Sequence, residues 1–314
     1  MRQEDLNEIF LPYYTSKIKA MQASEDNFAY YSNLATLHSI LKNKEIWFRN
    51  ISCMNDFSEV QYGMNLMKKF ILNDKEKHRR IISLLNEIIK EENCESFLEE
   101  FFEKTWLMYP TYIACLSQHD SAEDNYGRLS MWRAYGRGNG AALVLDKDKV
   151  FDNDNYIDGV YLSPVLYCDE NAFNKELDDL IDKIEKNKLK LKEYCNTKVI
   201  KNMFFSALIF AVVSIKHPGF KEESEWRLVY FQNSQESVRF KQDIECISGI
   251  PQNVYKLQLN GKLKDLIKHI IIGPTQYSLI AYNSVVECLK KELHVNNAED
   301  RVRVSDIPIR PEYV

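Results

Sequence analysis

Glycine is scarce in this chain, with ten among 314 residues, and four of those fall between 127 and 140. The C-x-x-C spacing is missing from the seven cysteines (Cys53, Cys94, Cys115, Cys168, Cys195, Cys246 and Cys288), and no Cys/His pair has zinc-ligand spacing. An odd, scattered set reads as free thiols of a reducing cytoplasm. Positive charge is not in excess. The net charge of −5 argues against strong non-specific binding to nucleic acid, although local basic strips still allow an RNA contact. No apolar run is long enough to span a bilayer: the longest, MFFSALIFAVV at 203–213, reads as a buried helix. The first residues, MRQEDLNEIFLPYY, are charged and lack a signal-peptide core. The expectation is a soluble cytoplasmic protein without a membrane partner.

Repeats, low-complexity tracts and Pro/Gly/Ser linkers are also missing. With 45% hydrophobic residues the chain can bury a full core, and residues 1–314 are read as one α+β domain. Helical spacing recurs in NLATLHSILKN (33–43), GMNLMKKFIL (63–72), 81–106 and SVVECLKKEL (284–293). Strand patterns appear in IWF, TYIACLS, GAALVLD, GVYLSPVLYC, EWRLVYF, SVRF, VYKLQL and HIIIGP, with a final strand pair in VRVSDIPIR. Helices come in blocks and strands cluster without a βαβα rhythm, which predicts a mostly antiparallel sheet with packed helices. Residues from about 171 to 215 form a helical insert. Its polar half has charge pairing suited to an exposed helix. Its apolar half is expected in the core, with a homodimer face as the second option.

Three stretches carry candidate chemistry. In YGRLSMWRAYGRGNGAALVLD, Gly136, Gly138 and Gly140 precede a strand, so they do not form a Rossmann loop, which follows one. They fit a tight turn or a close backbone approach. Trp132 and Tyr135 offer flat faces to a purine or nicotinamide ring, and Arg133 offers a planar fork to phosphate, against the ordinary reading of core aromatics. Tyr30, Tyr31 and Ser32 precede a helix whose N-terminus is a ready anion site, against the ordinary reading of a capped helix beside core aromatics. Asp56 and Glu59 fit a capping box. Among the histidines, His119 lies in a polar loop with nothing paired to it in sequence.

The third stretch is KEESEWRLVYF. Strand spacing sends Glu223, Glu225 and Arg227 to one face, where two carboxylates repel unless something separates or uses them. The ordinary reading is a solvated strand start in which Arg227 pairs with Glu225. The functional reading is a carboxylate that stabilises an oxocarbenium-like sugar, with a second carboxylate serving the acceptor.

The collinear order Y-Y-S-N-L, K-E-I-W-F, M-N-D-F-S-E, C-L-S, L-S-M-W-R-A-Y-G, F-K-E-E-S-E-W-R-L-V and I-I-I-G-P, from about Phe28 to Pro274, resembles a widespread bacterial family known as a domain of unknown function. That family in turn resembles divergent ADP-ribosyltransferases, many of them toxins or phage-defence effectors. The resemblance implies a split antiparallel sheet and NAD as substrate. It also implies a macromolecular target, protein or nucleic acid. By position, Glu225 is then the catalytic carboxylate and Glu223 its acceptor-side companion. Ser130, Trp132, Arg133 and Tyr135 belong to the middle motif, and Arg227 to the cofactor site with Tyr30, Tyr31 and Ser32. Many family members carry His in an H-Y-T first motif. Tyr30 stands in that slot, and it can donate a hydrogen bond to a ribose without supplying positive charge at neutral pH. Two other readings compete. One is an inactive nucleotide-sensing or protein-interaction module of the same fold. The other is a magnesium nuclease using Asp56, Glu59, Glu223 and Glu225.

Overall fold

The described residues of the computed structural model are 1–53, 58–89, 93–103, 111–152, 159–232, 239–247 and 249–308. Helices α1 (Gln3–Phe10) and α2 (Pro12–Ala23) open the chain, followed by strand β1 (Asn27–Asn33), α3 (Leu34–Asn43) and β2 (Glu45–Asn50). Asn33 caps α3, its side chain accepting a 2.8 Å hydrogen bond from the Thr36 N–H. The strand before it was not expected: FAYY is apolar and aromatic on both faces, which hides the period of two. Then come α4 (Ser58–Met67), α5 (Lys75–Ile88), α6 (Cys94–Glu103) and β3 (Thr111–His119). Next are α7 (Leu129–Met131), β4 (Gly140–Leu145), α8 (Lys147–Phe151), β5 (Val160–Pro164) and β6 (Leu166–Tyr167). The charged region forms α9 (Glu170–Tyr194) and α10 (Thr197–Ser214), followed by β7 (Ile215–Lys216) and β8 (Glu225–Phe231). The chain closes with β9 (Phe240–Ile247), β10 (Ile250–Gln258), α11 (Leu263–Leu266), β11 (Ile267–Ile272), α12 (Ser278–Leu293) and β12 (Val302–Val304). Where a final strand pair was expected there is one described strand, β12. Ser305–Pro308 continue without regular structure, and Ile309 and Arg310 lie outside the described residues, as do Ser237 and Val238 of SVRF.

The fold is α+β, in two compact units. One comprises Met1–Ala20, Ile51–Pro110 and Ser163–Lys221. Its core is helical. In α9, Phe173, Leu177, Ile181, Ile184 and Leu191 recur on one buried face. The charges of α9 do not pair mainly along the helix as expected but reach across to α5: Arg80 meets Asp182 and Glu185, and Lys188 meets Glu87 at 2.9 Å. Helix α10 is longer than the apolar run that predicts it. By length and composition it is apolar enough to cross a membrane, and 44% of it is buried within the protein.

The other unit comprises Met21–Asn50, Thr111–Leu162 and Glu222–Val314. It carries a ten-stranded sheet whose main path runs β12-β11-β4-β1-β3-β2-β10-β9, with β8 and β5 branching from β3. The registered pairs in it are antiparallel except β11–β12. Every residue of β4 is buried, as the run GAALVL requires of a central strand. All seven cysteines are free thiols.

Candidate functional site

Strand β3 is the point at which the sheet forks. Along one edge, Thr111 to Ser117 pair with Phe231 to Glu225 of β8. Along the other, Ser117, Gln118 and His119 pair with Ala29, Phe28 and Asn27 of β1, while Tyr112 and Ile113 pair with Asn50 and Arg49 of β2. Residues 114–116 therefore lie between two diverging ladders. Tyr30 is the next residue beyond one ladder, and Arg49 stands at the other. The Tyr30 hydroxyl is pushed up to about 12, first by burial and then by the Cys115 thiol, with Arg49 opposing. These three residues therefore share the fork.

Cys115 is directly across from Arg227, and Ser117 directly across from Glu225. Two positions apart on β8, Glu225 and Arg227 share a face and pair with each other. Arg227 Nε donates to Glu225 Oε1 at 2.7 Å and Nη2 to Oε2 at 3.2 Å. This is the pairing of the ordinary reading, but it is not solvated. Glu225 is 6% exposed and Arg227 2%. A buried carboxylate needs such a counter-charge. Glu223 does not join them on the strand. It ends a 3₁₀ turn, Pro218–Glu223, and Ser224 has φ 44°, so the alternation that would align Glu223 with Glu225 begins one residue too late.

What holds this turn in place is Arg128, which the sequence reading did not single out. Its guanidinium donates five hydrogen bonds. Two go to the Glu123 carboxylate, one each to the carbonyls of Gln118 and Glu222 at 2.9 Å, and one to the Glu223 carbonyl at 3.1 Å. Its backbone N–H donates to the Tyr31 hydroxyl at 2.9 Å. One planar fork thus ties the end of β3 to the residues immediately before Glu225. Beside it opens a hollow of about 450 Å³ lined by Arg128, Leu129, Ser130, Arg133, Glu222 and Ser224. Ser130 and Arg133 of the middle motif are therefore brought to the turn that leads into Glu225.

The rest of the middle motif is structural. Trp132 is fully buried and donates from Nε1 to the Tyr126 carbonyl at 2.8 Å. A Cβ on Gly127 would lie 2.3 Å from its ring, and one on Gly140 2.8 Å. The close backbone approach expected of the glycine turn is thus made to Trp132 itself. With Tyr31 packed edge-on at 4.9 Å, the ring has no face left for a nicotinamide. The burial of Tyr31 and the half-burial of Tyr135 belong to the same cluster, with Ala29, Met131, Ala142, Val144 and Ile271. Ser32 donates to the neighbouring Asn33 carbonyl at 3.3 Å, and Asn33 rather than Ser32 caps α3. Residues 132–136 form a π-helical turn, a rare geometry often found at functional sites. Asp56 lies outside the described residues, as does the Glu59 side chain.

Residues 131–228 match a family model described as a protein of unknown function, DUF2971. The match covers less than half of the chain. It begins at the Met of S-M-W-R-A-Y-G and ends at the Leu of E-W-R-L, and so encloses both the π-helical turn and the Glu225–Arg227 pair. No curated protein and no solved structure matches the chain.

Proposed function

We propose that the chain is an ADP-ribosyltransferase-like enzyme that takes NAD at the fork of the sheet and transfers ADP-ribose to a protein or nucleic acid, acting inside the cell as a toxin or phage-defence effector. The observation that carries this reading is the fork itself, flanked by Tyr30 and Arg49, with the Glu225–Arg227 pair one strand away across Cys115 and Ser117. A fixed carboxylate there suits a transition state that builds positive charge at the ribose. In the step, the C1′–N bond breaks and nicotinamide leaves with the electron pair. The acceptor nucleophile then bonds to C1′ and gives its proton to Glu223, which would approach from the turn before β8 rather than from the strand face of Glu225. The Tyr30 hydroxyl supplies a hydrogen bond to the ribose, while Ser130 and exposed Arg133 lie beside the same turn to receive phosphate.

A second reading rests on one observation. Arg227 already engages both oxygens of Glu225, which suits a nucleotide-sensing or protein-interaction module that keeps the fold without chemistry. Incubation of purified protein with NAD, alone and with cell lysate, separates the two by mass spectrometry of nicotinamide and of ADP-ribosylated products. Release that disappears in Glu225→Gln supports the enzyme. Saturable NAD binding with no nicotinamide released in any sample refutes it and leaves the module.

A further inference from the structure

At the far end of β3 from β2, two side chains of one strand-and-turn segment meet a third from a distant part of the sequence. His119 ends β3, Asp124 lies in the turn that follows, and His269 sits on β11. One ligand atom from each lies within 4.8 Å of the others. His119 Nε2 is 2.9 Å and His269 Nε2 3.2 Å from the same oxygen, Asp124 Oδ1. Both imidazoles are buried, at 0% and 3% exposure.

Hydrogen bonding accounts for only half of this arrangement: His119 Nε2 is hydrogen-bonded to Asp124 Oδ1, whereas His269 Nε2 is not. At 3.2 Å from a carboxylate oxygen, His269 Nε2 still makes no hydrogen bond, and His119 Nδ1 makes none either. The buried His269 Nε2 and the half-buried Asp124 Oδ1 are at contact distance yet share no hydrogen bond, so both are aimed at a common point rather than along a shared proton. Tetrahedral zinc with ligands at roughly 2.0–2.2 Å sets neighbouring ligand atoms about 3.3–3.6 Å apart, so the 2.9 and 3.2 Å contacts to Asp124 Oδ1 need to open by only a few tenths of an ångström to admit an ion.

The surroundings have the character of an outer shell. Glu123 Oε2 stands 3.6 Å from His119 Nδ1, on the side of the ring away from Asp124; it makes no hydrogen bond there, but it is the carboxylate placed to take the outer role beside a ligating imidazole. Glu123 is itself gripped by Arg128. Arg303 donates to Asp124 Oδ2 at 2.9 Å, leaving Oδ1 to the two histidines. The β11–β4 register shifts between Ile267 and His269, and such a bulge re-aims a side chain toward a site.

We infer that His119 Nε2, Asp124 Oδ1 and His269 Nε2 bind a divalent first-row metal ion, zinc being the one that suits this nitrogen and oxygen set. The ion joins the end of β3, the 120–124 turn and β11, and through Glu123 and Arg128 it braces the segment that leads into Glu225. It is a site for a metal and does not depend on the proposed transferase reaction.

The experiment treats the full chain with chelator, removes the chelator and titrates with Zn²⁺ alone, following heat release and metal content by mass spectrometry. One equivalent per chain is expected, with a higher Tm after loading. Cobalt in its place is expected to give the visible bands of a low-symmetry site. Asp124→Asn and His269→Ala each lose stoichiometric binding and the Tm increment, whereas Cys246→Ser keeps both. Circular dichroism identifies any variant that fails to fold, and the near-isosteric Asp124→Asn then carries the test. Absence of stoichiometric binding by the wild-type chain, or binding unchanged in Asp124→Asn, overturns the inference and makes the cluster a hydrogen-bonding hub only.

Discussion

Arg227 Nε lies 2.7 Å from Glu225 Oε1, and the two residues, two positions apart on one strand face, are both almost closed to solvent. Such a pair contributes little net stability compared with apolar residues of the same shape, but it makes each partner costly to remove alone. Arg227→Met should therefore destabilise the protein by about 3–5 kcal/mol, because it removes the counter-charge that engages both oxygens of a buried carboxylate. Adding Glu225→Leu to it should recover much of that loss. A double-mutant cycle in urea measures the coupling. Simple additivity of the two single changes would show that the pair does not act as a unit.

Arg128 should matter through geometry more than through charge. Arg128→Lys keeps the cation but cannot bridge Glu123, Gln118, Glu222 and Glu223 at once. The amides from Ser224 to Trp226 are expected to exchange hydrogen faster in this variant, while the buried strand β4 keeps its protection. Mass-resolved hydrogen exchange reads this directly. Unchanged exchange at 224–226 would mean that the turn holds without the fork.

The glycine beside the indole gives a packing prediction. Gly127 has φ 66°, and an added Cβ would fall 2.3 Å from Trp132 Cζ2. Gly127→Ala therefore meets both a backbone cost of about 1–2 kcal/mol and an overpacking cost of about 1–3 kcal/mol. Denaturant titration should show a loss on that scale, together with a change in tryptophan fluorescence. An alanine variant as stable as the wild type would mean that the ring can move aside.

Much of the architecture was legible because local spacing and tertiary burial agree. GAALVLD is a strand and MFFSALIFAVV part of a helix for the same reason, continuous apolar content, and flanking glycine or polar residues separate the two. Strand β1 was not legible: Tyr30 and Tyr31 are similar side chains on opposite faces, so sequence carries no alternation there. The fork depends on which half of β3 pairs with β1 and which with β2, a register that no local pattern encodes. His119 appeared alone because its tie to Asp124 depends on the shape of the turn between them, and His269 reaches it only through the fold. Ser224 broke the expected Glu223–Glu225 alignment through a left-handed backbone that serine rarely adopts. Trp132 turned out to be core, the ordinary outcome for a large aromatic.

Lys256 gives the pH prediction. Its ammonium is buried on β10 among carboxylates, with Asp243 at 2.9 Å, Glu245 in direct hydrogen bond and Glu45 at 3.9 Å. Burial alone would lower its pKa. The hydrogen bonds it donates to Glu245 and Asp243, with the charge of Glu45, outweigh that and hold it above the ordinary 10.5. The unfolded chain therefore loses this proton at lower pH than the folded one. The contribution of Lys256 is fully present below about 10.5 and declines as pH rises through the raised folded value. On the acid side, the hydrogen bond from Lys256 holds Asp243 below its ordinary 3.8, so that contribution persists until pH falls through the lowered value. Lys256→Met leaves the three carboxylates without their shared cation and should be less stable at pH 7. Its urea midpoint should approach that of the wild type as pH climbs past 10.5, because the wild type alone loses the interaction. Parallel curves for the two proteins from pH 7 to 11.5 would show that the cation is not what holds this corner of the sheet.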